Sequence, residues 1–549
     1  MTRNLSLLLV TGAFAVSCAD YNETYNFKAD PDPSVIVPYK DMNPVKSYID
    51  RNTYPNMSLG TTLKVSDFNK QELAHAAAVT NFDDVAFGTT LMSGSIINAK
   101  GVMNFLDMSD LLDHVQEIDV SVYGSPIFAN DNQPDDWLNT LTAPIEIPVE
   151  YVEGKSVDFN KKSVGPYDGT IVKGKAEIVK YDDQNVLRIS AQSSVRIIED
   201  FEVAPLAKYT TTFYAKADKD ITFDVNFSGN AVPGSGTSGK WPLKQGKWTK
   251  IVVEAQSSPD ESNGYLQIET ARGITINIKN VSVGYYPDNH RPQTPKELSD
   301  TIHYAVRTWC EGLMNINKSR ITSFDLIDEP IDIKAVLPDK GVFDIKHSTE
   351  KIYWQDVLGS ENYAPVVANE ARKAFKENEG DVNELKFFIS ENGLEDNKKW
   401  ESLKYWIGIW DAKGAKIDGI NAKVNLSYSE DAATQKANQA TFEKLLDNLA
   451  SSGKLIRLSN FDITYKNAEG TAVPAKDITE AQRQKLADYY AYAIKQYMSK
   501  IPNEKQAGIC KGNMVDTNDP VGLWAIDNTT KDWVRTATYK AFCDALSGQ

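Results

Sequence analysis

The chain has 549 residues, of which 41% are hydrophobic and 24% are charged. This composition is that of a globular protein, and it excludes a disordered or collagen-like chain. Asp and Glu number 75 against 59 Lys and Arg, which gives a formal net charge of −16. Because an acidic surface repels phosphate groups, we do not predict nucleic acid as a partner, whereas neutral ligands such as polysaccharides stay open.

Cysteine and histidine are sparse. Four cysteines do not make a disulfide framework in a chain of this length, and no CxxC pair or HExxH motif occurs. Cys510 and Cys543 could approach each other, but together with Cys310 they leave an odd thiol, so no disulfide is predicted. We predict neither a transition-metal site nor a cofactor.

The N-terminus has the pattern of a targeting segment. Arg3 precedes an apolar run over 5–16 that ends at Ser17 and Cys18. The run is shorter than the roughly 20 residues of a membrane-spanning helix, but it suits the core of a signal peptide. Residues 1–18 resemble the signal peptide of a bacterial lipoprotein with Cys18 as the lipidated residue; an ordinary signal peptide with a chance cysteine is the alternative.

Residues 19–49 are predicted to be a tether. The segment ADYNE at 19–23 is short, polar and acidic, and it is similar to the export signal of surface lipoproteins in Bacteroidetes-type bacteria. The residues after it are rich in Pro, Asp and Lys, as in a linker. The resemblance implies an outer-membrane lipoprotein at the cell surface whose lipid anchor is its only contact with the membrane.

From Met57 onward, short apolar runs of the strand type alternate with amphipathic helical stretches. The runs cover 57–65, 83–91, 117–128, 321–327, 386–390, 418–428, 455–463 and 507–515. Two helices open with capping boxes, at Thr294 and at Thr479. Eight strands that alternate with helices predict an α/β fold, a (β/α)8 TIM barrel.

One stretch, residues 146–290, interrupts this rhythm. It has no helical pattern, and apolar and polar residues alternate in runs such as 221–227 and 274–278. Such runs, separated by clusters of Gly and Ser, indicate an antiparallel β-sandwich. We therefore predict an all-β insert in the loop after the third strand, with the barrel formed by 50–145 and 291–549.

The barrel segments resemble the family 10 glycoside hydrolases, the xylanase family. The resemblance rests on FDLIDEP at 324–330, WQDVLG at 354–359, KIDGI at 416–420 and LSNFDI at 458–463. The insert resembles the carbohydrate-binding modules of families 4 and 22 at WTKIVV (248–253) and IKNVSV (278–283). That second resemblance leaves open a structural calcium in the insert, for which the sequence singles out no ligands.

The resemblance implies a retaining enzyme, which needs two carboxylates roughly 5–5.5 Å apart, an acid/base and a nucleophile. Glu329 stands at the acid/base position, but Asn460 stands at the nucleophile position. An uncharged carboxamide cannot form the covalent glycosyl intermediate. Asp462 matches another family residue beside the nucleophile, so it is not a substitute.

Further positions of the family's cleavage subsite are substituted as well. They are Gly88, Thr89 and Met92 after the second strand, Ser125, Ala129 and Asn130 after the third, Asp328 before the acid/base, Lys423 and Asn425 at the sixth, and Gly512 after the eighth. Together these changes predict a barrel that has stopped hydrolysing. Asn130 and Asn425 stay candidates for binding carbohydrate.

Aromatic residues give further candidates for sugar binding. In the insert, Trp241 lies in a polar segment and is the preferred stacking platform, with Tyr265 and Tyr209 as weaker candidates, whereas Trp248 is expected in the core. In the barrel, Trp137 is more plausible as a packing residue than as a platform. Trp524 follows the eighth strand and either caps the cleft or packs.

Two functions of different classes follow. The first is a surface glycan-binding lipoprotein on a degenerate xylanase-like barrel, which captures polysaccharide of the xylan type for an uptake complex, mainly through the insert. The second is an active endo-β-1,4-xylanase or related retaining glycosidase of polysaccharide catabolism. A third hypothesis is substrate-assisted hydrolysis, but the sequence has nothing that resembles the acidic pair used in that mechanism.

Overall fold

The structure is a computed structural model that describes residues 39–548 apart from 206, 229, 232–239, 258–262 and 528. The predicted signal peptide, Cys18 and residues 19–38 of the tether lie outside the described residues. The chain divides into two compact units. One comprises the residues up to Thr142 together with those from Thr294 onward, and the other is Ala143–Gln293.

The first unit is built on eight parallel strands. They are β1 (Ser58–Thr62), β2 (Asp84–Ala86), β3 (Ser121–Tyr123), β4 (Ser323–Asp328), β5 (Lys386–Asn392), β6 (Gly419–Lys423), β7 (Leu455–Ser459) and β8 (Gln506–Lys511). A short strand, Phe128–Ala129, continues β3 and pairs with β4, and Gly124 bridges Phe324. Since β8 pairs with β1, the sheet closes on itself. The predicted barrel is confirmed.

Helices follow the strands in the alternating order that the sequence predicts. The main ones are α1 (Leu73–Asn81), α2 (Leu106–Val115), α3 (Pro295–Asn317), α4 (Tyr363–Glu377), α5 (Asn397–Ala412), α6 (Ala432–Ala450), α7 (Glu480–Lys500) and α8 (Ala537–Leu546). Both predicted capping boxes form: Thr294 caps α3 with Glu297, and Thr479 caps α7 with Gln482. Each box satisfies backbone N–H groups that a helix start would otherwise leave unpaired.

Shorter elements lie in the loops of the barrel. They are the α-helices Val65–Asn69, Ser93–Ile96, Asp135–Leu141 and Trp354–Leu358, the 3-10 helices Val45–Tyr48, Gly88–Leu91 and Asn503–Lys505, and the paired strands Ile331–Val336 with Phe343–Ile345, Leu426–Ser429 with Ile463–Lys466, and Trp524–Ile526 with Trp533–Arg535. The predicted run 83–91 is therefore a strand only in its first part. Gly88 has φ +35°, a left-handed value that ends the extended chain.

The second unit contains the all-β insert. Its strands are Ile145–Glu146, Val152–Val157, Gly165–Pro166, Ile171–Tyr181, Gln184–Glu202, Lys208–Ala217, Ile221–Phe227, Asn230–Ala231, Lys240–Leu243, Thr249–Gln256, Asn263–Glu269, Thr275–Tyr286 and His290–Arg291, with the 3-10 helix Phe159–Lys161. All the pairings named for them are antiparallel.

The long strand Gln184–Glu202 belongs to two layers. Its first half pairs with Thr275–Tyr286 and its second half with Asn263–Glu269. The layers share one apolar core, in which Phe213 and Phe223 contact with ring centroids 6.3 Å apart. The insert thus buries a core of its own, as the alternating pattern predicts.

Candidate functional site

A cleft of about 710 Å³ opens where the barrel strands end at their C-termini. In a parallel barrel the residues that follow the strands meet at this face. Glu329 follows β4, Lys423 ends β6 and Asn460 follows β7, and all three line the cleft. The two positions that the resemblance assigns to the acid/base and the nucleophile therefore share one site.

Glu329 is held by lysine. The Lys423 ammonium donates a hydrogen bond of 3.1 Å to Glu329 Oε1 and lies 2.5 Å from Asp328 Oδ1. Lys346 Nζ lies 3.9 Å from the other Glu329 oxygen. Lys423 is thus shared between two carboxylates at the end of β4.

The surroundings of Glu329 lower its pKa. Burial acts to raise the pKa of Glu329, but the charge and hydrogen bond of Lys423, a hydrogen bond from Asn392 and the charge of Lys346 lower it below its ordinary value. A glycosidase acid needs the opposite shift, because it must still carry its proton near neutral pH. The direction of the Glu329 shift is thus opposite to the one that a general acid requires.

The nucleophile position carries an amide held in a left-handed backbone conformation. Asn460 has φ +53°, and its carbonyl oxygen accepts a hydrogen bond of 2.6 Å from the Asp462 N–H. The Asp462 carboxylate accepts from the buried Lys511 ammonium and, at 2.6 Å, from the Asn513 amide. Asp462 is committed to these partners, so it does not replace the missing carboxylate.

Gly512 leaves room for the Asp462 carboxylate after the eighth strand. A Cβ atom built at Gly512 would lie 2.6 Å from Asp462 Oδ2. A larger residue would therefore displace the carboxylate from its place beside Lys511 and Asn513. The close approach of the Asp462 carboxylate therefore depends on glycine at position 512.

The wall of the cleft is rich in side-chain amides and hydroxyls. It includes Asn392, Asn425, Asn438, Asn460 and Asn513 with Ser427, Thr441 and Thr464, and the apolar side chains of Leu426, Phe442 and Leu445. Amides both donate and accept hydrogen bonds, as the hydroxyl groups of a neutral saccharide require. Such a lining favours binding of an uncharged polyhydroxylated ligand.

A smaller pocket of about 260 Å³ shares Thr62, Lys423 and Asn460 with the cleft. Asp325 also lines it, and burial raises the pKa of this carboxyl to about 7 although hydrogen bonds from Tyr123 and Asn421 oppose the shift. The Tyr123 hydroxyl donates to Asp325 at 2.8 Å and the Asn421 amide at 2.9 Å. We interpret Asp325 as part of a buried structural network.

Both barrel tryptophans pack in the core, which is the alternative that the sequence favoured for Trp137 and left open for Trp524. Trp137 is 5% exposed and lies in the barrel core, where its ring would collide with any Cβ at Gly101. Trp524 is fully buried against Trp533 and Tyr539, so it packs and does not cap the cleft. The free energy of burying such large aromatic rings is strongly favourable, and both rings lie in the core of the barrel.

The aromatic predictions in the insert need correction. Trp241 lies on the strand Lys240–Leu243, is 7% exposed and donates its indole N–H to the Val252 carbonyl, so it is a core residue. Tyr209 is buried, and the ring of Tyr265 is covered by the Arg196 guanidinium at 3.8 Å. Trp248, expected in the core, is instead partly exposed at the surface.

The structure brings some predicted polar residues together and leaves others apart. Asn425 is exposed and lines the cleft. Asn130 does not line either pocket described above; its Oδ1 accepts from the Gln355 amide at 3.2 Å. The sequence did not lead us to Lys346, Asn392 or Asn513. Each of the strands β5 to β8 has an asparagine within two residues of its end, and this recurrence could have identified Asn392 and Asn513 as site residues.

Cys310, Cys510 and Cys543 are free and buried thiols. Within the described ranges, no group of three or more His, Cys, Asp or Glu side chains is arranged to hold a metal ion. In the same part of the chain, no helix has the length and apolar character of a membrane span.

The family model of glycosyl hydrolase family 10 matches residues 288–523. This stretch is under half of the chain, and it contains β4 to β8 with Glu329, Lys423 and Asn460. No curated protein matches the chain. The chain therefore contains a segment of the family 10 type.

Solved structures of family 10 enzymes share the fold. Xylanase B from Clostridium stercorarium F9 superposes with a TM-score of 0.51 at 10% identity, over 92% of this chain and 100% of that chain. A GH10 endoxylanase from a sugarcane soil metagenome gives a TM-score of 0.50 at 10% identity, with the same coverage. At such low identity the likeness shows the fold, a xylanase-like (β/α)8 barrel with additional all-β elements.

Proposed function

We propose that this protein binds glycans without hydrolysing them, using a degenerate xylanase-like barrel. The observation that carries the proposal is the contact of Lys423 with Glu329 beside Asn460. The cleft then has neither a protonated acid nor a carboxylate nucleophile, and a retaining mechanism needs both.

The cleft itself is the proposed binding site. Its amide and hydroxyl side chains can replace the water that hydrates sugar hydroxyls. The sequence favoured the insert as the binding site mainly because of Trp241, and this residue is buried. Because the two superposed structures are named as xylanases, a xylan-type oligosaccharide is the first ligand to test.

The cellular role is also a proposal. With Cys18 lipidated, the protein would be held at the outer face of the outer membrane, where it would present polysaccharide to an uptake complex. The support is the sequence of residues 1–23 alone. Cys18→Ala should release the protein from the membrane fraction, and protease added to intact cells should remove the wild type. Resistance to the protease would contradict surface exposure.

The test of function pairs a binding assay with an activity assay. Affinity electrophoresis in gels with xylan, mixed-linkage β-glucan or mannan should retard the full chain, while reducing-end assays on the same polysaccharides stay at background. The alternative, an active endo-β-1,4-xylanase, is supported by the presence of Glu329 in the cleft. Turnover that disappears in Glu329→Gln would establish that alternative and reject the proposal.

A further inference from the structure

The outer face of the insert carries a basic and aromatic surface. Lys208–Ala217 is the central strand of three, with Thr249–Gln256 on one side and Thr275–Tyr286 on the other. Phe213 and Ala215 are buried in the core of the insert. Because side chains alternate along a strand, Tyr214 and Lys216 point to the opposite side, toward solvent.

Tyr214 stands between two lysines of the neighbouring strands. Its register partners are Lys250 on one side and Lys279 on the other. The Tyr214 side chain is 39% exposed, and the Lys279 ammonium lies 5.8 Å from the centre of its ring. An exposed aromatic ring is thus flanked on both sides by positive charge.

A second row of residues extends this surface. Lys216 pairs in register with Asn277, whose amide oxygen accepts from Arg188 Nε at 3.0 Å. Trp248 lies beside them, with the Lys279 ammonium 4.5 Å from its ring centre. We name the surface the Tyr214 face; it consists of Arg188, Tyr214, Lys216, Trp248, Lys250, Asn277 and Lys279.

The charges of the Tyr214 face are incompletely compensated. Asp182 pairs with Lys216 at 3.0 Å. Asp182 also accepts from the Trp248 indole N–H at 3.2 Å. The hydrogen bonds from Lys216 and Trp248, together with the charge of Lys279, lower the pKa of Asp182. Glu177 is the register partner of Arg188 but forms its ion pair with Lys175. Among the described residues, Lys250 and Lys279 form no ion pair within 4.0 Å. The whole chain has a formal net charge of −16, so a concentration of unpaired cations on one face is complementary to an anionic ligand.

We infer that the Tyr214 face binds an acidic saccharide, through stacking of a hexuronate ring on Tyr214 and ion pairs from its carboxylate to the flanking lysines. The C–H groups of a pyranose ring pack against an aromatic face. The C6 carboxylate lies close to the plane of that ring, so a stacked ring directs it sideways toward Lys250 or Lys279. The inference rests on the proposed glycan-binding function, but it concerns residues different from those of the cleft.

The test compares two ligands of equal length on the full chain by isothermal titration calorimetry. One is a neutral xylo-oligosaccharide, and the other is the same oligosaccharide with a glucuronic acid substituent. We expect the acidic ligand to bind at least tenfold more tightly in 50 mM NaCl. The preference should largely vanish in 500 mM NaCl, because salt screens exposed ion pairs.

Variants identify the residues responsible. Lys279→Gln should reduce the preference for the acidic ligand at least fivefold, and Tyr214→Ala should weaken binding of the acidic ligand while Tyr214→Phe retains it. The matched control is Lys208→Gln, an exposed lysine of the same strand whose register partners are Gln256 and Tyr286. It should leave both affinities unchanged.

Several outcomes would overturn the inference. They are equal affinity for the two ligands, a preference that survives Lys279→Gln, and binding of a sulfated oligosaccharide or a single-stranded DNA as tight as that of the hexuronate ligand. Binding of the neutral ligand without any acidic preference would reject the inference and leave the proposed function standing. A preference for the acidic ligand that depends on Lys279, together with affinities that Asn425→Ala in the cleft leaves unchanged, would reject the cleft as the binding site and support the inference.

Discussion

Lys423 donates a hydrogen bond of 3.1 Å to Glu329, and in doing so ties the end of β6 to the residue at the acid/base position. The same ammonium lies 2.5 Å from Asp328. One lysine therefore contacts both carboxylates at the end of β4. The proposed loss of hydrolysis rests on this contact and on the amide at Asn460.

The first prediction concerns restored catalysis. Asn460→Glu alone should release no detectable reducing ends from xylan, because Lys423 still holds Glu329 ionised. Adding Lys423→Gln removes that charge and allows the pKa of Glu329 to rise, so the double variant should release reducing ends where the single one releases none. Adding Glu329→Gln as a third change should abolish the gain.

Strong turnover by Asn460→Glu alone would show that the lysine contact does not block proton transfer. An inactive double variant with intact fold would assign the block to other lost positions, such as Ser125 and Asn425.

The second prediction concerns the stability of the barrel. Arg457 on β7 donates to both oxygens of Asp84 on β2, at 2.6 and 3.0 Å, and both residues are buried. Arg457→Leu leaves the carboxylate buried without its cation and should cost about 3–5 kcal/mol in unfolding free energy. Lys500→Ala, which removes the exposed Lys500–Asp447 pair, should cost under about 1 kcal/mol. Equal losses in urea titrations would contradict the difference.

The third prediction concerns pH. Burial and the neighbouring His114 lower the pKa of His75 to about 4, and the two Nε2 atoms are 2.8 Å apart. The unfolded chain takes up this proton near pH 6.5, whereas the folded chain does so only near pH 4, so stability falls as pH falls through this window. His75→Gln should lose less stability between pH 7 and 4.5 than the wild type does. Identical changes in the urea midpoints of both proteins would refute the assignment.

The fourth prediction separates packing from binding in the insert. Because Trp241 is a core residue, Trp241→Ala should destabilise the insert by about 3–5 kcal/mol. At temperatures where the variant stays folded, its affinity for neutral oligosaccharide should equal that of the wild type. A weaker affinity without a lower melting temperature would restore Trp241 as a sugar platform.

The fold could be predicted because its signals are local. The alternation of short apolar runs with amphipathic stretches and the two capping boxes at Thr294 and Thr479 require no knowledge of the tertiary structure. The same holds for the alternation in the insert, although which tryptophan faces inward depends on strand register. Trp241 was expected in a polar loop, but it lies on the short strand Lys240–Leu243 with its ring in the core. Trp248 was expected in the core, but it precedes Thr249–Gln256, in which the odd-numbered positions face inward, and a shift of one residue moves a side chain to the other face.

The site could be predicted only in part. Glu329 and Asn460 were placed by their positions in matching motifs, and both lie in the cleft. The contact between Lys423 and Glu329 could not be predicted from the sequence, because it joins strand ends that are 94 residues apart. Such pairings are set by barrel closure and side-chain packing, which no local pattern encodes.

The most direct test of the central claim is native mass spectrometry of the full chain after overnight incubation with xylohexaose, or with the hexasaccharide of whichever glycan binds best. We expect a complex whose mass is that of the protein plus the intact hexasaccharide, with no shorter sugars in solution. Free protein accompanied by di- and trisaccharides, with cleavage abolished by Glu329→Gln, would show that the barrel hydrolyses its ligand and would contradict the account.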